Sequence, residues 1–368
     1  MFVQTLERQE NISRTSSSNI DLGLDVNNQY SSSINYFSIN NRRYLGNKYK
    51  LKQFIQTTIL DTCGDFKTFA DLFAGTGAVA SMFQDKHLIV NDILYSNYAC
   101  YQTWFGTEYY SQSKIQKYIQ KYNNSIIKKD NYLSENYSNT YFSKENCRKI
   151  GFIREDIEQN YSINNLNSRE KFILITSLLY AMDKIANTCG HYDAYRKNGE
   201  LDKECILGMP LIKKTNPRNE IYNTDVNKLA KFISADVVYL DPPYNSRQYC
   251  DAYHLLENVA RWEKPNVYGI AKKMDRTVLK SDYCTISAIK VFEDLIKNIQ
   301  AKYIILSYNN MANKGNDRSN AKLSDYDIMR ILKLKGKVNV FSQDYKVFST
   351  GKSNIEENLE RLFICQCF

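Results

Sequence analysis

The chain has 368 residues, enough for one sizeable core or two, and its 43% hydrophobic and 24% charged composition is near the average for soluble globular proteins. Its longest uncharged apolar run, Phe172 to Met182, is too short to cross a bilayer. The opening Met1-Phe-Val-Gln-Thr-Leu-Glu-Arg8 lacks the basic end and apolar stretch of a secretion signal, so a cytoplasmic protein with no membrane partner is expected. The formal charge of +9 favours a polyanionic partner without selecting one. Nine scattered cysteines with no C-x-x-C pair, and three histidines, argue for reduced, buried thiols and against a metal site.

In chain order, residues 1–40 are rich in Ser and Asn with no sustained period, and are expected to form a disordered or weakly ordered arm. Asn47 to Leu60 has helical spacing. Thr68 to Phe73 and His87 to Ile93 are short apolar runs of strand type, the first stopped by Gly75 and Gly77. Asp236 to Leu240 and Lys302 to Tyr308 are further strands, and an amphipathic stretch, 285–300, precedes the latter. Ser324 to Leu334 is a helix opened by an S-x-x-D cap, and two extended segments, 337–348 and 359–368, close the chain. Short strands alternating with helices predict an α/β sheet covered on both faces, with an antiparallel addition at one edge. Between about 107 and 219 the rhythm fails. That stretch is polar, with one apolar helix at 172–187, and is read as an inserted, mostly helical second domain within a main domain of 41–106 and 220–368.

The first chemical signal is Phe69-Ala-Asp-Leu-Phe-Ala-Gly-Thr-Gly-Ala78. A strand ends, two glycines permit close backbone approach, and a helix is expected to begin, as suits a nucleoside-bearing ligand. Asp71 would face a pyrophosphate unfavourably but suits the cationic methionine end of S-adenosylmethionine. Asp92 lies twenty-one residues on, where a carboxylate accepts hydrogen bonds from ribose. Ribose binding there is common to nicotinamide cofactors, so the pair supports a nucleoside site more firmly than it names the cofactor.

The deciding element is Asp241-Pro242-Pro243-Tyr244, directly after the strand ending at Leu240. Proline cannot continue a ladder, so the chain turns rigidly at the sheet's carboxyl edge. Such a turn holds a carboxylate, a proline carbonyl and an aromatic ring around one small planar group, and an exocyclic amine suits it. Two acceptors take its N–H bonds and expose a lone pair to the methyl sulfonium, by orientation and electrostatics rather than covalent catalysis. None of the five prolines precedes a cysteine, so the nucleophilic Pro-Cys of cytosine C5 methylation is absent.

On these residues the chain resembles the N6-adenine DNA methyltransferases of the Dam-like (D12) class, modification enzymes of type II restriction systems. The order matches, with Arg43-Tyr-Leu-Gly-Asn-Lys48 first, F-x-G-x-G next and D-P-P-Y last. The resemblance implies a Rossmann-like, S-adenosylmethionine-dependent α/β fold with residues 107–219 as target-recognition domain. It implies that Tyr44, Lys48, Asp71, Phe73, Gly75, Gly77, Asp92, Asp225 and Asp241 contact the cofactor, and that Asp241 through Tyr244 act on a flipped adenine. Tyr44 stands where many members carry Trp, and Asn47 where a small residue is usual.

Candidate contacts to double-stranded DNA are Arg196, Lys197, Arg247 and Arg318, with Arg154, His191, Lys213, Lys214, Arg218 and Lys314 behind them; the bland reading of each is a solvated charge. A cognate restriction endonuclease would act on the same site. The rivals are an RNA or protein-glutamine methyltransferase, in which Asn more often replaces Asp241, a non-catalytic nucleic-acid-binding protein, and a dehydrogenase.

Overall fold

In the computed structural model, residues 34–310, 321–344 and 359–368 are described. The strands are β1 (Tyr36–Phe37), β2 (Thr68–Asp71), β3 (His87–Asn91), β4 (Met209–Pro210), β5 (Glu220–Tyr222), β6 (Ser234–Leu240), β7 (Gln300–Asn309), β8 (Gly336–Asp344) and β9 (Leu359–Cys367). The helices are α1 (Lys52–Cys63), α2 (Tyr95–Phe105), α3 (Gln112–Asn123), α4 (Tyr132–Tyr137), α5 (Lys144–Ser162), α6 (Ser168–Ile185), α7 (Val226–Leu229), α8 (Tyr249–Ala252), α9 (His254–Arg261), α10 (Ala288–Asn298) and α11 (Asp325–Lys333). Seven strands form one mixed sheet in the order β5-β3-β2-β6-β7-β9-β8, parallel as far as β7, with β9 and β8 added antiparallel.

The two-residue side-chain period of these strands explains their uninterrupted apolar character. Phe69, Leu88, Val237, Tyr239 and Ile305 point to one face and join α1, α2, α5, α6 and α9. Ala70, Ile89, Val238, Leu240 and Ile304 point to the other and join α7, α10 and α11. Helix ends follow their predicted chemistry: Ser324 Oγ accepts the Asp327 N–H at 3.1 Å to cap α11. At α6 the Asn167 side chain and Glu170 cap each other's backbone N–H groups.

Three expectations need revision. No α-helix follows the glycine loop; only a 3-10 turn, Ala80–Phe83, fits before β3 starts at His87. The weakly ordered arm does not reach residue 40. Tyr36–Phe37 pairs in parallel with β4, and buried Phe37 packs on Trp104 and Tyr180; residues 1–33 lie outside the described residues. Nor is 107–219 a separate body. Residues 34–368 form one compact unit, in which Ile173, Leu178 and Tyr180 of α6 share a core with Trp104 of α2 and Val259 of α9. A helix as apolar as α6 is buried on every side only if the main sheet's helices cover part of it. No helix among the described residues is long and apolar enough to cross a membrane.

Candidate active site

From β2 the chain proceeds outward to β3 and β5 on one side, then returns to build β6 and β7 on the other. The carboxyl ends of β2 and β6 therefore diverge at a switch point, where an open α/β sheet has its natural crevice. Asp71 ends β2 and Asp241 follows β6. Between them opens a cavity of about 620 Å³. Its walls include Tyr44, Lys48, Asp71, Phe73, Gly75, Asp92, Asp225, Asp241 and Pro243, which were singled out from widely separated motifs.

At its floor the buried Lys48 ammonium lies 3.1 Å from Asp241 Oδ1 and 2.8 Å from Glu360 Oε1. A short 3-10 turn carries Lys48, and Asn47 Oδ1 caps it by accepting the Tyr49 N–H. Burial pushes the Asp241 pKa up to about 6, with Lys48 opposing the rise and Glu360 adding to it. Asp71 is more deeply enclosed. Its Oδ2 accepts the Ala80 N–H at 3.2 Å, whereas Oδ1 has no hydrogen-bond partner. Burial, then the charges of Asp241 and Asp92, raise its pKa well above the carboxylate range. A buried acceptor left unmatched beside a cavity fits a cationic ligand group, so the residues present suit an α-ammonium or sulfonium.

Tyr44 forms one side wall. Its ring stacks on Tyr253 at 4.4 Å with the planes 7° apart, and its hydroxyl accepts from Asn97. Gly75, at φ +54°, passes so close that a Cβ there would meet the Tyr44 ring at 3.2 Å. Asp92 Oδ2 accepts the Gly75 N–H and Oδ1 the Leu94 N–H, so this acid also shapes the loop; burial raises its pKa to about 6. Gly77 does not line the cavity. At φ +78°, a side chain there would meet Phe105, Ile39 and Tyr101, so its smallness serves packing.

At the far end Phe73 and Tyr283 meet edge to face at 5.1 Å, and Asp225 caps α7 at the rim. Asn91, a residue no motif pointed to, ties the strand ends together through the carbonyls of Leu72 and Thr224. Pro242 is buried behind the wall. Tyr244 also stands off it, its ring edge-on to Tyr308 and its carbonyl accepting the Lys322 N–H.

The basic candidates separate. Arg196, Lys197, Arg247, Lys213, Lys214 and Arg218 are exposed. His191 is held below its usual pKa by burial, with Asp193 opposing and Arg247 and Lys273 reinforcing, so Arg247 and the 191–197 stretch are electrostatic neighbours. Arg154, by contrast, is fully buried. It donates to the Val259 and Ala260 carbonyls of α9 and to Glu158, and is removed from the DNA-contact set. Lys314 and Arg318 lie outside the described residues.

Modification methylase StsI of Streptococcus sanguinis is 36% identical over 88% of this chain, which spans 52% of that protein's length. Modification methylase LlaI of Lactococcus lactis is 32% identical over 87% of this chain, which again spans about half of it, 53%. Type II methyltransferase M.NlaIII of Neisseria lactamica is 32% identical over 84% of this chain and 93% of its own. The sequence profile of one family matches residues 44–317, which take in every cavity-wall residue described above. The chain belongs to the D12 class N6 adenine-specific DNA methyltransferase family.

Proposed function

We propose that this chain methylates the N6 amino group of adenine in double-stranded DNA, as the modification activity of a restriction–modification system whose endonuclease acts on the same site. The observation that carries this reading is the D-P-P-Y carboxylate held at 3.1 Å by Lys48 on the edge of an acid-lined cavity. S-adenosylmethionine, when bound, supplies an electrophilic methyl group. Asp71 offers its unmatched oxygen to the ammonium end, Asp92 and Asp225 offer acceptors to the nucleoside, and Phe73 and Tyr44 supply apolar walls.

Adenine N6 is inside the duplex, so the base is flipped out at a cost of a few kcal/mol in lost stacking. The Asp241 carboxylate and the Pro242 carbonyl accept the two N–H bonds of the amine, while Tyr244 stacks on the ring. Acceptors placed in advance cost no reorganisation when charge develops on nitrogen. Asp241 accepts only when ionised, so the rate falls as pH drops through about 6. Arg196, Lys197, Arg247 and Arg318 contact the DNA, and 107–219 reads the target. The relatives' names as type II methyltransferases and modification methylases support the biological role.

The test uses methyl-labelled S-adenosylmethionine and unmethylated bacterial DNA, digested to nucleosides. Label in N6-methyldeoxyadenosine, absent with Asp241→Ala, supports the reading. Label in N4-methylcytosine corrects the base, and label only in RNA or protein rejects DNA as substrate.

A further inference from the structure

We propose that Glu360 is a positioning residue for methyl transfer: it shares the Lys48 ammonium with Asp241, so that Asp241 is oriented by the lysine and stays able to accept the target amine. This rests on the methyltransferase reading above.

The C-terminal hairpin is an addition at the sheet edge, yet it reaches the reaction centre. Asn309 of β7 is paired with Glu360 of β9, which places the Glu360 side chain beside the ends of the central strands. Lys48 Nζ is 2.8 Å from Glu360 Oε1, closer than its 3.1 Å to Asp241 Oδ1. Ser307 Oγ also donates to Glu360 Oε1, at 2.6 Å, fixing the carboxylate from β7. Lys48 and Glu360 are both buried and Asp241 faces the cavity, so the three form a chain from the core to the site.

The charge balance explains why a second acid is needed. A buried ammonium with one carboxylate forms a closed ion pair, which lowers that carboxylate's affinity for a proton or any hydrogen-bond donor. With two acids the triad keeps a net negative charge. The other groups acting on or acted on by Asp241 are Asp71 at the end of β2, Tyr239 of β6 and Tyr249 of α8; Lys48 alone among them is cationic. Removing the Glu360 charge therefore leaves Lys48 to Asp241 alone. Asp241 then becomes a weaker acceptor that titrates at lower pH.

The experiment is the single-turnover rate of methyl transfer to DNA, at saturating S-adenosylmethionine and DNA, across pH for wild type and Glu360→Gln. Gln keeps the shape and the Ser307 contact. The expected result is a rate reduced about tenfold at neutral pH with both KM values within about twofold, and an acid limb displaced to lower pH. A counter-ion needed only for folding predicts a lower Tm with the limb unmoved, and that overturns the proposal; so does an unchanged rate and profile. Should Glu360→Gln fail to fold, Glu360→Asp carries the test. Its retained charge predicts a wild-type acid limb with a partly reduced rate, and a downward displacement of that limb contradicts the role. No transfer by the wild type rejects the methyltransferase reading and the proposal together. Transfer with an unmoved limb in Glu360→Gln rejects the proposal alone.

Discussion

Two buried clusters of charge sit in this fold and have opposite characters. The first, in the helical layer, centres on Arg154. Its Nε and Nη2 donate to the carbonyls that end α9 and to Glu158, Nη1 has no partner, and the guanidinium lies 5.6 Å from the Trp262 ring centre. Protein encloses it completely. The second is Lys48 with Asp241, Glu360 and the nearby Asp71, where acids outnumber the one cation and an acceptor on Asp71 faces a cavity without a donor. Burying charge is costly in both places. In the first, the cost is offset by holding α5 to α9. In the second the Lys48 pairs offset only part of it and the Asp71 acceptor is left unmatched, as is expected where a cationic ligand supplies the missing partner.

Substitutions that swap the two characters test the comparison. The largest effect is expected for Asp241→Ala, which removes the acceptor of the amine: kcat falls by about 10²–10³-fold or more while Tm stays at or above the wild-type value, read by methyl transfer and thermal unfolding. Arg154→Met acts the other way. It strands the Val259 and Ala260 carbonyls of α9, leaves Glu158 to Lys171 alone, and costs about 3 kcal/mol of stability in urea unfolding, with kcat of the folded fraction unchanged.

Asp71→Asn gives a mixed and smaller result. Burial raises the Asp71 pKa in the fold, so the native state holds a proton that the unfolded chain releases above the usual carboxylate range. Stability is therefore lost as pH rises through that window, and Asn removes the loss. The ligand-free Tm is expected to rise by roughly 1–3 °C at neutral pH, whereas affinity for S-adenosylmethionine falls about tenfold or more in calorimetry. The smallest effect is for Arg247→Ala: a severalfold weaker DNA affinity, with the slope of log K against log salt reduced by about one and kcat unaltered.

What the sequence disclosed follows the same division. The turn at Asp-Pro-Pro-Tyr was legible because proline forces the strand to end, a local effect that places Asp241 at the carboxyl end of a central strand. The glycine loop did not disclose that Gly75 lines the cavity and Gly77 packs on Phe105, Ile39 and Tyr101, since either a ligand or a packed ring demands a missing Cβ. Glu360 gave no local signal. It sits in an ordinary strand sequence, in β9 between β7 and β8, and meets Lys48 across 312 residues, through a strand register that composition does not encode. Arg154 was misplaced for a related reason: a basic residue on a polar-looking helix reads as surface until α9 is packed over it. The insert looked like a second domain because its polarity is local, whereas its apolar α6 is buried against helices elsewhere in the chain.

The most direct test of the difference between the two clusters is the Tm shift produced by saturating S-adenosylhomocysteine in wild type, Arg154→Met and Asp71→Asn. The account predicts equal upward shifts in wild type and Arg154→Met, from a lower starting Tm in the latter, and a much reduced shift in Asp71→Asn. A full shift in Asp71→Asn, with the shift lost in Arg154→Met, would place ligand binding at the wrong cluster and contradict the assignment.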